Sequence, residues 1–161
     1  MIVRTFSIAA ALAIMPAAAH AQAVAPKTYV AKAGASDLYE KQSSQLVLAS
    51  TKDAKVRQFA NQMIAHHTKS TNDVKAAARQ AGIAVPPPKL EPMQASNIAK
   101  LRAAKGTARD QAYIQQQKVA HQQALALHQG YAANGTAAPL KTAAAAIAPV
   151  VQTHIDELQQ M

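Results

Sequence analysis

The sequence predicts an all-α fold, an up-and-down four-helix bundle with an extra short helix in the crossover between the second and third long helices. Three observations carry this. Hydrophobic residues make up 50% of the 161 residues but aromatics only 4%, so the apolar content is mostly alanine, the strongest helix former. The β-branched and aromatic residues that fill strands are sparse. Apolar positions recur at three- and four-residue spacing through long stretches that Gly and Pro do not interrupt, which is the period of a buried helical stripe. There is no Cys, so disulfides, zinc–thiolate sites and thiol catalysis are excluded.

The N-terminus reads as an address. Arg4 precedes an apolar run from Phe6 to Met15, Pro16 breaks it, and Ala19-His20-Ala21 supplies the small residues that a signal peptidase reads. Residues 1–21 are therefore a cleaved leader, with Ala21-Gln22-Ala23 offering a second cut after residue 23. The run is roughly half of the ~20 apolar residues that span a bilayer. No other segment is apolar enough to cross, so the mature form has no transmembrane helix. The expected destination is the periplasm or the outer-membrane surface. Residues 22–27 form a linker and 28–161 a single domain.

The first long helix runs from Tyr29 to about Ser50, with Gly34 its one breaker and Ala33, Glu40 and Val47 on its inward line. Thr51-Lys52-Asp53 makes a tight connection in which Asp53 can cap the second helix. That helix has the clearest stripe: Val56, Phe59, Ala60, Met63, His67, Ser70, Val74, Ala77 and Ala81. Gly82 stops it and Pro86-Pro87-Pro88 forbids continuation. A short helix over Met93–Ala104 carries Ile98 and Leu101, and Gly106-Thr107 restarts the chain with Thr107 as its cap. The third long helix, about 108–133, has Tyr113, Ile114, Ala120, Ala124, Leu125 and Tyr131 on its apolar arc. The last begins near Pro139 and buries Leu140, Ala144, Ile147, Val151, His154 and Leu158, with Pro149 inside it. So many small residues imply close helix approach and a thin core.

His67, His121 and His154 fall on the inward stripes of three different helices, and Glu40 on that of the first. His128 follows His121 on the same face, and His66 sits at the edge of the second stripe. One ligand-capable side chain from each of four helices is how helical metalloproteins build sites. Imidazole suits Zn, Cu, Ni and Fe, and a carboxylate can complete the set. Counting residues from the turns puts Glu40 and His67 nearly level but separates His121 from His154 by about 7 Å along the bundle. A Glu40–His67–His121 centre assisted by His154 is therefore expected. The alternative is that the groups satisfy one another, water, or a hydroxyl of Tyr39, Tyr113 or Tyr131.

Other chemistries lack their residues. A di-iron oxidase needs several carboxylates and two Glu-x-x-His pairs, and no Glu-x-x-His occurs. Ser43-Ser44 has no nucleophile-elbow context, and there is no glycine-rich phosphate loop. The net charge of +9 comes from scattered cations without aromatic interleaving. It points away from nucleic acid and towards an anionic envelope surface such as lipid or cell wall.

Taken as an ordered set, Tyr29-Val30-Ala31-Lys32-Ala33, Leu38-Tyr39-Glu40, Val56 to Met63, His67-Thr68-Lys69, Gly106, Asp110, Tyr113, His121 and His154 resemble the domain-of-unknown-function 4142 (DUF4142) family. These are exported bacterial proteins often labelled outer-membrane proteins. The resemblance covers the chain from about Lys27 to its end and implies a ferritin-like bundle. The family pattern has an Asp before each of the first two His, where this chain has His66 and Ala120, so the carboxylate that orients an imidazole is expected to be missing. The functional expectation is a non-enzymatic exported envelope protein that binds a transition metal between its helices. The alternatives are a ferritin-like metalloenzyme or oxidant-handling protein, and a basic module that contacts anionic lipid or cell wall.

Overall fold

The computed structural model describes residues 24–161, so the leader expected over 1–21 lies outside it. The described chain is helical: α1 (Pro26–Leu48), α2 (Ala54–Gln80), α3 (Pro92–Ala103), α4 (Gly106–Asn134) and α5 (Ala138–Gln159). No strand occurs among the described residues. α1 takes in Pro26 and Lys27, which the sequence alone places in a linker, because proline is tolerated where the first-turn N–H has no partner.

Local chemistry sets the ends. Asp53 caps α2, its Oδ1 accepting from the backbone N–H of Lys55 and Val56. Gly82 ends α2 with φ +66°, the left-handed conformation that glycine adopts freely, and Ile83 N–H reaches back to the Ala78 carbonyl. α4 begins at Gly106 rather than after it, and Lys105 occupies the cap position expected for Thr107, without a side-chain cap bond. Gly34 does not interrupt α1. A Cβ there would make an ordinary van der Waals contact with Pro88 at 3.4 Å, so the polyproline crossover lies directly against the helix. Pro149 sits inside α5, which continues through it.

The four long helices form a ring in which α1 packs on α2 and α4, and α5 packs on α2 and α4. Pairings such as Tyr29–His128 with Ser44–Tyr113, and Gln62–Glu157 with His66–His154, run in opposite senses along the two chains. Neighbours are therefore antiparallel, and the diagonal partners α2 and α4 run the same way. A parallel diagonal needs a connection that travels the length of the bundle. The segment from Gly82 through α3 is that connection, with α3 resting on α1 and α4. This is the ferritin-like arrangement with one long crossover.

The core has two apolar ends. One contains Tyr29, Val30, Ala33, Val74, Ala78, Tyr131, Leu140, Ala144 and Val151, the other Val47, Val56, Phe59, Met63, Leu101, Tyr113 and Leu158. It is thicker than the alanine content suggests, because Tyr29, Tyr39, Tyr113 and Tyr131 are all fully buried. On α2 and α5 the predicted stripes hold, although Ala81 is only partly covered. On α4 the buried line is Asp110, Tyr113, Gln117, His121, Ala124, His128 and Tyr131, and Ile114, Ala120 and Leu125 are half-exposed.

Candidate metal centre

Between the apolar ends lies a buried polar layer: Asp37, Glu40, Ser43 and Ser44 from α1, His67 and Ser70 from α2, Gln117 and His121 from α4, and His154 from α5. One donor atom from each of His67, His121 and His154 falls within 4.8 Å of the others. Their ring centroids are 5.6 Å (His67–His121), 5.9 Å (His67–His154) and 5.2 Å (His121–His154) apart. The His154 ring thus reaches the His121 ring, so the expected offset along the bundle does not keep them apart. Part of the expected offset comes from counting residues 135–137 as helix, although they lie outside both helices.

Each imidazole is held at one nitrogen and unpartnered at the other. His67 Nδ1 donates to Asp37 Oδ1 at 2.8 Å, and Asp37 Oδ2 accepts from Thr71 at 3.0 Å. His121 Nδ1 donates to the Gln117 carbonyl one turn back, at 3.0 Å. His154 Nε2 meets Nδ1 of the exposed His66 at 2.8 Å. The remaining atoms, His67 Nε2, His121 Nε2 and His154 Nδ1, are buried without a hydrogen-bond partner. A nitrogen whose ring mate carries the donated proton presents a lone pair.

The orienting carboxylate expected to be missing is therefore present. It comes from Asp37 on α1, across the interface, instead of from the residue before His67. Tyrosine hydroxyls do not satisfy these rings: Tyr39 bonds Gln116, Tyr113 bonds Ser44, and the Tyr131 hydroxyl has no partner.

Glu40 lies beside the three histidines. Its Oε1 is 3.8 Å from His121 Nδ1 and its Oε2 is unpartnered. Burial pushes its carboxyl up to about 7, against the opposing pull of His67. Burial also moves His121 down to about 3, with His67 adding to the effect, and His154 down to about 2, with His121, His67 and His66 adding to it. Both rings are neutral near pH 7. For His67 burial again disfavours the cation, but the Asp37 hydrogen bond and the charges of Glu40 and Asp37 outweigh it, and the net direction is up.

Three neutral-capable imidazole nitrogens with a carboxylate beside them form a donor set for a borderline or soft divalent ion. Zinc–nitrogen bonds of about 2.0–2.1 Å put tetrahedral ligands about 3.3 Å apart, so the rings need only draw inwards. His128, on the same face of α4 as His121, is outside the group. It takes a hydrogen bond from Tyr29 at 3.0 Å and stacks edge-on against that ring.

Comparison with known proteins agrees with this architecture. A solved secreted protein of the DUF305 family from Streptomyces coelicolor is similar with a TM-score of 0.65 at 15% identity, over 83% of this chain and 88% of that one. No curated protein matches the sequence. The family of unknown function DUF4142 matches residues 11–161. With nearly the whole length matched and the helical bundle in place, the chain belongs to the DUF4142 family.

Proposed function

We propose that this protein is an exported, non-enzymatic envelope protein whose bundle core binds a transition-metal ion (Zn, Cu, Ni or Fe) through His67, His121 and His154, with Glu40 completing or balancing the site. The single observation that carries the reading is the set of unpartnered buried donors. Three imidazole nitrogens and a carboxylate oxygen are left without hydrogen bonds in one layer. Leaving such groups unmet costs about 1–3 kcal/mol each, and one ion would meet them together. The orienting partners Asp37, the Gln117 carbonyl and His66 support the same reading, because ligating histidines characteristically donate their second N–H.

Export is supported by the leader-like residues 1–21 and by the secreted DUF305 neighbour. No described helix is long and apolar enough to cross a membrane. A di-iron oxidase is disfavoured by its donor set, since Asp37 is engaged with His67 and Thr71 and Asp110 with Thr51.

The test is thermal unfolding of chelator-treated protein titrated with Zn, Cu, Ni and Fe. At least one ion should stabilise the wild type, by about 2.7 kcal/mol at a hundredfold excess over its dissociation constant. His67→Ala combined with His121→Ala should abolish the gain. No gain with any of the four ions, or an equal gain in the double variant, refutes the proposal.

A further inference from the structure

His154 has two faces. Its Nδ1 is buried in the polar layer without a partner, while its Nε2 meets His66 Nδ1 at 2.8 Å. The two rings lie nearly parallel, with centroids 5.0 Å apart and planes at 18°. His66 is exposed, on the outer edge of α2 where it packs on α5, whereas His67, His121 and His154 are each no more than 4% exposed. One turn away on each helix, Gln62 bonds Glu157 at 3.0 Å, closing the same seam on one side. The groove beside α1, α2 and the polyproline segment takes in Asp37 and Thr71 but not His67. The imidazole pair is thus a continuous run of donor atoms from solvent to the buried layer.

We propose that His66 and His154 form an outer two-nitrogen site through which the metal ion enters and leaves the buried centre. This rests on the reading of that centre as a metal site. At zinc–nitrogen distances of about 2.0–2.1 Å, two donors of a tetrahedral ion stand about 3.3 Å apart. The pair, at 2.8 Å, has to open by about half an ångström, which a small rotation of the exposed His66 ring provides. The proton between the rings moves from His154 Nε2 to Nδ1 as the cation takes its place. The cation then passes from Nε2 to Nδ1 of the His154 ring, breaking its bonds to Nε2 and His66 as it forms bonds to Nδ1, His67 and His121, and the ring proton returns from Nδ1 to Nε2. A ligand used only on the way in lowers the barrier in both directions and leaves the end-state affinity alone. A residue that merely orients His154 through its hydrogen bond would instead change how long the ion stays.

The test is stopped-flow uptake of Zn from a chromogenic chelator, release in excess chelator, and the equilibrium dissociation constant. The chains compared are wild type, His66→Ala and His66→Gln. Position 66 is exposed, and Gln retains an oxygen that can accept from His154 Nε2 but has no imidazole nitrogen. Both variants should take up and release Zn at least tenfold more slowly, with the dissociation constant within twofold of wild type. An unchanged uptake rate overturns the proposal, whether release is also unchanged or becomes faster. Restoration of wild-type rates by Gln also overturns it, since that outcome assigns His66 a positioning role. If the wild type takes up none of Zn, Cu, Ni and Fe, the metal reading itself fails and this proposal falls with it. Uptake with unaltered kinetics in the variants sinks this proposal alone.

Discussion

At its two ends the bundle is packed like an ordinary core, whereas the layer between them leaves its polar groups unmet. Tyr29 stacks on Tyr131 at 3.9 Å over Leu140 and Val151 at one end, and Phe59, Met63 and Leu158 fill the other. Each end leaves one buried polar atom unpartnered, the Tyr131 hydroxyl and Asp110 Oδ1. In the layer between them Glu40, His67, Ser70, Gln117, His121 and His154 each leave one. All three regions are built from the same four long helices, so helix propensity and topology cannot account for the contrast. Apolar residues would fill the layer at lower cost, and stability alone does not explain histidines there. The ends hold the helices in register, and the layer is what that register positions.

The largest effect should come from the residue that joins the two regimes. Phe59 belongs to an apolar end, yet its ring centroid lies 6.1 Å from His121, 6.2 Å from His154 and 6.4 Å from Tyr113. Phe59→Ala should destabilise by about 3–5 kcal/mol, the range for emptying such a core position. It should also weaken any metal response, because the floor under two histidines is removed. Denaturant unfolding with and without metal measures both. An unchanged midpoint would show that the ends do not carry the stability.

A second test compares a histidine from each region. His128, at the Tyr29 end, is buried and pushed down to about 4 by that burial, with the Asp37 charge partly opposing. The Tyr29 hydroxyl, held neutral by burial, donates to its Nδ1. Because the folded value lies below the unfolded value near 6.5, the unfolded chain takes a proton first as pH falls. The stability associated with neutral His128 is complete above about pH 6.5, declines down to about pH 4, and then levels off. The loss should be roughly 3 kcal/mol, since the two values stand about 2.5 pH units apart at about 1.4 kcal/mol each. Glu40, raised to about 7, works in the opposite sense. It is common to both proteins when wild type is compared with His128→Leu, so the difference between their profiles isolates His128. Equal profiles from pH 4 to 7 would show that this end also tolerates a charged imidazole.

Legibility in the sequence follows the same division. α2 and α5 were readable because apolar side chains mark their inward lines, as with Val56, Phe59 and Met63 or Leu140, Ile147 and Val151. On α4 the direction of the inward face is legible but its membership is not, because hydrophobic spacing picks out Ile114, Ala120 and Leu125 and cannot mark a line that runs through Asp110, Gln117, His121 and His128. Glu40, His67, His121 and His154 could be nominated because a titratable residue on an apolar stripe is conspicuous. The Asp37–His67 and His66–His154 pairs could not be found, since they depend on which helices adjoin and at what height. For the same reason the sequence pattern points to the residue before His67 for the orienting carboxylate, whereas Asp37 supplies it from another helix.

The smallest and most discriminating effect concerns His154, where one substitution can convert a unit of the polar layer into a unit of the apolar ends. Its neighbours along α5, Val151, Ile155 and Leu158, are buried and apolar, so leucine at 154 extends an existing stripe. The substitution removes the unpartnered Nδ1 and frees the exposed His66 to bond water. Relieving one unmet buried group should stabilise the metal-free protein by about 1–2 kcal/mol, the lower part of the cost of leaving such a group unsatisfied. The same change removes one of three imidazole donors and should abolish or sharply weaken stabilisation by metal. His154→Leu is therefore expected to be more stable than wild type in chelator and less stable than wild type in saturating metal. That crossover, read from two denaturant titrations, is not produced by a histidine that serves packing alone. If His154→Leu loses stability in chelator, Nδ1 is already satisfied in solution, and the polar layer is a structural network no different in kind from the ends.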